Sequence, residues 1–148
     1  MCIRDEMLGT IREGYAARVR GDVEGVLSVF AADAVFRLNA APLNRITAVH
    51  TVDSAELRSA MTQLIDNFEF SDFEIVDSIV EGSKAAIRSM FTIRARTTGH
   101  VAQTEVLDLI EFKDGKICSF VQFFDTAFAN NLMGGQATPL GLGLGLTA

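Results

Sequence analysis

Apolar positions recur at helical spacing in the first half of the chain and at every second residue in the second half. Leu8, Ile11, Tyr15 and Val19, with Ala16 and Ala17 beside them, predict an amphipathic helix over 5–20. Gly21-Asp22 ends that helix and opens another. Asp22 is a good N-cap, Glu24 suits the positive first turn, and Val23, Val26, Leu27 and Phe30 form one apolar stripe. A short strand is predicted from Ala34 to Asn39, then a loop around Ala40-Ala41-Pro42, then a second short strand from Ile46 to His50. Asp53-Ser54-Ala55-Glu56 is close to a capping box and starts a third helix. Leu57, Ala60, Met61, Leu64, Ile65 and Phe68 carry its buried face.

From Ser71 the period changes to two. Strands are predicted near 72–81, 85–98, 101–112 and 117–125, joined by Gly82-Ser83, Gly99-His100 and Lys113-Asp114-Gly115-Lys116. Helices first and an antiparallel meander afterwards make an α+β pattern. Read as a two-residue turn, Gly99-His100 sets Arg94 against Glu105 and Arg88 against Glu111, two opposite-charge pairs on one face. The other face then carries Phe91 opposite Asp108, Ile93 opposite Val106 and Ser89 opposite Ile110. The next connection has two readings. A three-residue Lys113-Asp114-Gly115 loop with a G1 bulge puts Phe120, Gln122 and Phe124 inside, with Phe120 facing Asp108. A two-residue Asp-Gly turn puts Val121 and Phe123 inside instead. The bulged loop is the preferred reading.

Asp108 is the residue that breaks the pattern. It shares a strand face with Val106, Ile110 and Phe112, where an acid costs several kcal/mol, roughly, unless it is bonded, paired or protonated. Either it lines a cavity where a shifted pKa is useful, or it is a structural acid bonded to a backbone group or to Tyr15. Tyr15 itself reads as a ligand-facing hydroxyl or as core with a satisfied OH. Phe91, Phe120 and Phe124 read as pocket walls or plain core, and Gln122 as a group that orients a ligand rather than one that moves protons.

Composition narrows the partners. The 148 residues suffice for one domain over 1–130 with a real core, followed by a loosely packed or flexible Gly/Leu-rich tail over 131–148. Hydrophobic residues make up 49%, with 11 Phe and no Trp, which suits an apolar pocket. A net charge of −6 argues against nucleic acid and anionic membrane as partners. No long apolar run predicts a membrane span, and the acidic start Met1-Cys2-Ile3-Arg4-Asp5-Glu6 is not a signal peptide. Cys2 and Cys118 are expected as reduced thiols in the cytoplasm. His50 and His100 lack partners at ligand spacing, so no metal is expected, and the tail glycines lack the Lys or Ser of a phosphate cradle. Asp125 reads as the N-cap of a last short helix.

Three segments carry a family resemblance. They are Tyr15 to Phe36 with its Gly21-Asp22 and Phe30-Ala-Ala-Asp33-Ala34 elements, the helix after Asp53, and Val106 to Phe112 followed by Asp114-Gly115-Lys116-Ile117. Together they resemble the SnoaL-like and ketosteroid-isomerase-like branch of the nuclear transport factor 2 superfamily, over about residues 5–128. The resemblance implies a cystatin-like cone, a curved antiparallel sheet wrapped around about three helices, enclosing an apolar cavity for a small hydrophobic molecule. It also implies a homodimer through the outer sheet face. No cofactor is implied. Members include isomerases, dehydratases, polyketide cyclases and epoxide hydrolases, so the fold does not choose a reaction. Asp108 matches the position of the protonated acid that steroid isomerases use to stabilise an oxyanion, a worked case of pKa tuning. The isomerase's Tyr falls at Gly14, one step from Tyr15, and its proton-shuttling Asp falls at Leu38, with Asn39 as the nearest polar neighbour. The epoxide-hydrolase positions hold Arg88, Met90 and Gln122, and Gln122 also replaces the cyclase acid. The expectation is a cavity protein, an isomerase, dehydratase or cyclase using Asp108 and Tyr15 or else a ligand binder without chemistry.

Overall fold

A computed structural model describes residues 3–39, 49–132 and Gly134. The chain runs through α1 (Ile3–Arg20), α2 (Val23–Leu27), β1 (Phe30–Asn39), β2 (Val49–Thr51), α3 (Ser54–Asn67), β3 (Phe68–Glu81), β4 (Lys84–Ala95), β5 (Val101–Lys113), β6 (Lys116–Phe123) and α4 (Thr126–Leu132). The strands form one curved, unclosed sheet in the order β2-β1-β6-β5-β4-β3. All neighbours are antiparallel except β1 and β6, which run parallel, so the sheet is mixed rather than wholly antiparallel. The helices lie against the sheet's inner face, and their apolar stripes join that face in a core built around Ile11, Leu57, Ile87 and Ile110.

Helix boundaries follow local chemistry. Asp5 and Glu6 open α1 and Arg18 and Arg20 close it, matching the helix dipole. Asp22 caps α2 by accepting from Gly25 N at 3.0 Å. Asp53 caps α3 by accepting from Glu56 N at 2.8 Å, and Glu56 reaches back to Val52 N rather than to the cap residue. Asp125 accepts from Phe128 N at 2.9 Å and caps α4, as its spacing predicts.

Strand ends differ more from expectation. β1 begins at Phe30, not Ala34, because Phe30 already pairs with Ile117 across an irregular stretch. β3 follows α3 without a loop, and its early part absorbs a bulge at Asp72, whose φ is +52°. The predicted Ile46–His50 strand is Val49–Thr51 in the described residues; 46–48 lie outside them, as does the tail apart from 131, 132 and 134.

Both hairpin registers correct the sequence reading, and both keep the faces. The β4–β5 connection is a five-residue loop over 96–100 instead of a Gly-His turn. Phe91 therefore faces Thr104, and Asp108 faces Ile87, a slip of four positions. An even slip leaves every side chain on its original face. The long loop is held by partners remote in sequence: Arg96 N donates to Asn67 O at 2.9 Å, and Thr98 Oγ1 to Leu132 O at 2.8 Å. The charge pairs change accordingly. Arg88 pairs with Glu105, diagonally across the ladder, and Arg94 reaches Glu69 on β3 at 3.5 Å.

At β5–β6 the turn is Asp114-Gly115 alone, with both φ values positive (+52° and +77°), as a type I′ turn requires. The extra residue sits within the strand instead. Phe112 pairs with Ile117 and Glu111 with Ser119, so Cys118 is bulged. That bulge restores the phase the three-residue loop was expected to supply. Phe120 and Gln122 point inward, but Gln122, not Phe120, stands opposite Asp108.

Candidate functional site

α1, α3 and the inner face of the sheet enclose an apolar cavity of about 130 Å³. That approaches the ~150 Å³ apolar cavity known to accept benzene. Tyr15, Phe91, Phe120, Gln122 and Phe124 all line it, so five residues singled out from the sequence meet at one place. Leu38 and Gly14 line it too, the two positions where the family resemblance puts an isomerase's acid and tyrosine. Gly14 is there for space: a Cβ would come within 3.2 Å of Val29 Cγ2. Asn39 ends β1, and its side chain lies outside the described residues.

Asp108 sits behind this wall. It is fully buried and does not line the cavity. Its Oδ2 accepts a hydrogen bond from the Tyr15 hydroxyl, which brings together two residues on separate elements, α1 and β5. Gln122 stands directly across from Asp108 on β6, and Ser89 shares the inner face on β4. Neither Asp108 Oδ1 nor Ser89 Oγ has a hydrogen-bond partner among the described residues, although both are buried. An orphaned carboxylate oxygen in such a place favours the neutral acid.

The electrostatics agree. Burial pushes the Asp108 carboxyl up to about 7, against the opposing pull of Tyr15 and Gln122, which favour the carboxylate. The Tyr15 hydroxyl is raised well above its ordinary value, first by burial and then by the charge and hydrogen bond of Asp108. Near neutral pH the pair therefore holds an acid poised between its two forms and a phenol that stays protonated. A neutral Asp108 can donate to the Tyr15 oxygen, which frees the phenolic O–H to turn toward the cavity.

The remaining polar lining is Arg18, Thr104 and Gln122. Arg18 escaped the sequence reading because a basic residue in the last turn of a helix is ordinarily a solvated partner of the dipole. Here it is buried. Its Nη2 donates to Phe68 O at 2.9 Å and Leu64 O at 3.2 Å, and its guanidinium lies 3.7 Å from the centre of the Phe70 ring. The available signal was its spacing, since Ile11, Tyr15 and Arg18 follow one helix face. His100 is exposed in the β4–β5 loop, and Cys118 is a free thiol in the β6 bulge. Among the described residues no three His, Cys, Asp or Glu side chains gather as a metal would require.

The fold and this arrangement can now be set beside known proteins. A family model of the SnoaL-like domain matches residues 11–120. The chain belongs to the SnoaL-like family. The match spans α1 to the middle of β6 and so contains Tyr15, Arg18, Ser89 and Asp108. No curated protein matches the sequence. Solved structures do resemble this SnoaL-like chain. An NTF2-like protein of unknown function from Burkholderia pseudomallei is 21% identical, with 86% of this chain and 97% of that one covered and a TM-score of 0.77. An LEH-like epoxide hydrolase from M. tuberculosis is 14% identical, covering 88% and 92%, with a TM-score of 0.69. A protein of ketosteroid isomerase-like fold from Catenulispora acidiphila, in complex with trimethylamine, is 13% identical over 88% and 97%, with a TM-score of 0.73. At such identities the likeness establishes the fold and leaves the chemistry to the residues.

No helix among the described residues is long and apolar enough to cross a membrane.

Proposed function

We propose that this SnoaL-like protein binds a small hydrophobic carbonyl compound, with the Tyr15 hydroxyl donating to its oxygen and Asp108 holding the proton behind Tyr15. The observation that carries this reading is the Tyr15–Asp108 hydrogen bond at the wall of an apolar cavity. A donor fixed in a water-poor site polarises a carbonyl more strongly than one in water, because nothing must reorganise as charge develops on oxygen. That supports cofactor-free isomerase, dehydratase or cyclase chemistry, in which an enolate-like oxygen forms. The working order is Tyr15 at the ligand and Asp108 as its reserve of protons.

A second reading has its own support. The cavity lining among the described residues includes no Asp, Glu or His, and Leu38 occupies the position of the isomerase's proton-shuttling acid. Without a base to take a proton from carbon, the same cavity serves as the site of a carrier or sensor. We favour binding as the shared element and treat turnover as the question to test. Infrared spectra of ¹³C-carbonyl cyclohexenone with the protein decide the first part. A red-shifted carbonyl band that Tyr15→Phe abolishes is expected, and an unshifted band in the wild type refutes the reading. Proton–deuterium exchange at the ketone's α-carbon in D₂O separates catalyst from carrier.

The outer sheet face suits the expected homodimer. Leu107, Leu109 and Phe123 are each about 40% exposed there (40%, 44% and 38%). The Arg88–Glu105 pair borders them, giving an apolar patch with a polar edge.

A further inference from the structure

We infer that the ligand carries a carboxylate, or an equivalent organic monoanion, and that Arg18 is its receptor. This deepens the carbonyl-compound reading and rests on the same cavity. Arg18 is 9% exposed and lines that cavity, yet among the described residues no carboxylate pairs with it. Among the described residues its hydrogen bonds both run from Nη2 to backbone carbonyls, Leu64 O and Phe68 O, at the end of α3 and the start of β3. The charged group facing it from the neighbouring loop is a second cation, Arg96, which donates through Nε to Ile65 O at 3.3 Å. The acids nearby in sequence are engaged elsewhere or turned outward: Glu69 pairs with Arg94, and Asp66 is exposed.

A buried cation is costly unless it is paired. The C-terminal carbonyls of α3 offset part of that cost, as does the Phe70 face, since both present partial negative charge. Neither is an anion. Burial and Arg96 together draw the Arg18 guanidinium down to about 10, so it remains fully charged at neutral pH. A guanidinium fork with free donors in an apolar cavity is suited to planar, bidentate carboxylate recognition.

The placement also orients a ligand. Arg18 and Tyr15 are three residues apart on one helix, about 4.5 Å along the axis. A series of ring contacts joins them: Arg18 covers Phe70, and Phe70 stacks on Phe91 at 4.2 Å, both rings lining the cavity, while behind them Phe73 lies 6.4 Å from Phe91 and, tilted, 4.4 Å from Tyr15. A flat or alicyclic body beside that wall would set its anionic end at Arg18 and its neutral oxygen at Tyr15.

Matched pairs of probes test this: benzoate against benzamide, and cyclohexanecarboxylate against its amide. Each is titrated by calorimetry into wild type, Arg18→Met and Arg18→Lys at pH 7. The expected result is at least tenfold tighter binding of each acid than its amide by the wild type. Arg18→Met should erase that preference while still binding the amide, and Arg18→Lys should keep part of it. If the wild type binds the amide as well as the acid, the carboxylate assignment fails and the cavity reading survives. If neither binds at millimolar concentration, both fail. Should Arg18→Met not fold, the acid-to-amide ratio of the wild type and of Arg18→Lys decides alone.

Discussion

Replacing Asp108 with Asn tests the reading on which the site depends, that a carboxyl group is held neutral by burial. Asn has nearly the same shape and cannot ionise. The folded protein holds the Asp108 carboxyl at about 7, against an ordinary value of 3.8. Between those values the folded state binds a proton that the unfolded chain has released. Stability from this group is therefore complete below pH 3.8, falls as pH rises, and levels off above pH 7. The whole span is worth about 4 kcal/mol, and the part between pH 5 and pH 8 about 2.5 kcal/mol.

The assay is urea unfolding at 25 °C, followed by circular dichroism, for wild type and Asp108→Asn at pH 5, 6, 7 and 8. Other titrating groups act on both proteins and cancel in the difference. Asn should gain on the wild type by about 2.5 kcal/mol across that range, with unchanged slope in urea. A difference that stays constant across that range would mean that Asp108 is ionised throughout it, as an ordinary carboxylate or one that a positive group stabilises. That result removes the acid from the proposed mechanism.

Four further substitutions examine the surroundings and the outer sheet face. Tyr15→Phe removes the hydrogen bond that Asp108 accepts from α1, and should cost about 1–3 kcal/mol in urea unfolding. It should also move the Asp108 titration, read from the carboxyl ¹³C shift, above its wild-type midpoint, because Tyr15 favours the carboxylate. Ser89→Ala deletes a buried hydroxyl with no partner among the described residues and should be neutral or stabilising; a loss above about 1.5 kcal/mol would reveal a bond that Ser89 makes in solution. Gly115→Ala meets no atom within 4 Å but forces a side chain to φ +77°, and should cost about 1–2 kcal/mol by the same measurement. If the proposed homodimer forms through the outer sheet face, Leu109→Arg should convert it to monomer in sedimentation equilibrium, and an unchanged mass would exclude the β5 face as the interface.

What the sequence made legible was periodicity and parity. Alternation along β5 placed Asp108 on the inner face although the register was wrong by four, because a sheet face depends only on whether a slip is odd or even. The turn before β6 was misread in the opposite manner: its length was wrong, and the Cys118 bulge corrected the phase. Loop length was not legible because the 96–100 loop is held by Asn67 and Leu132, partners that no local pattern announces. The parallel β1–β6 pairing was hidden for the same reason, since it joins segments at opposite ends of the domain.

The two ionisable groups at this cavity show a further limit of pattern reading. An acid in an apolar strand is conspicuous, because the strand's period has only two faces and one of them is plainly buried. An arginine in the last turn of a helix is not, because the dipole gives it an ordinary reason to be there. Once folded, the apparent importance of the two changes. Asp108 is walled off and hydrogen-bonded to Tyr15, whereas Arg18 lines the cavity. On the proposed reading, an acid poised near neutrality behind a phenol, and a guanidinium with no carboxylate partner among the described residues, let the cavity favour an anion despite a chain charge of −6. The overall charge repels anions only from a distance, and over a Debye length of about 8 Å at physiological salt that repulsion fades. Within the cavity the nearest fixed charge decides, and that charge is positive.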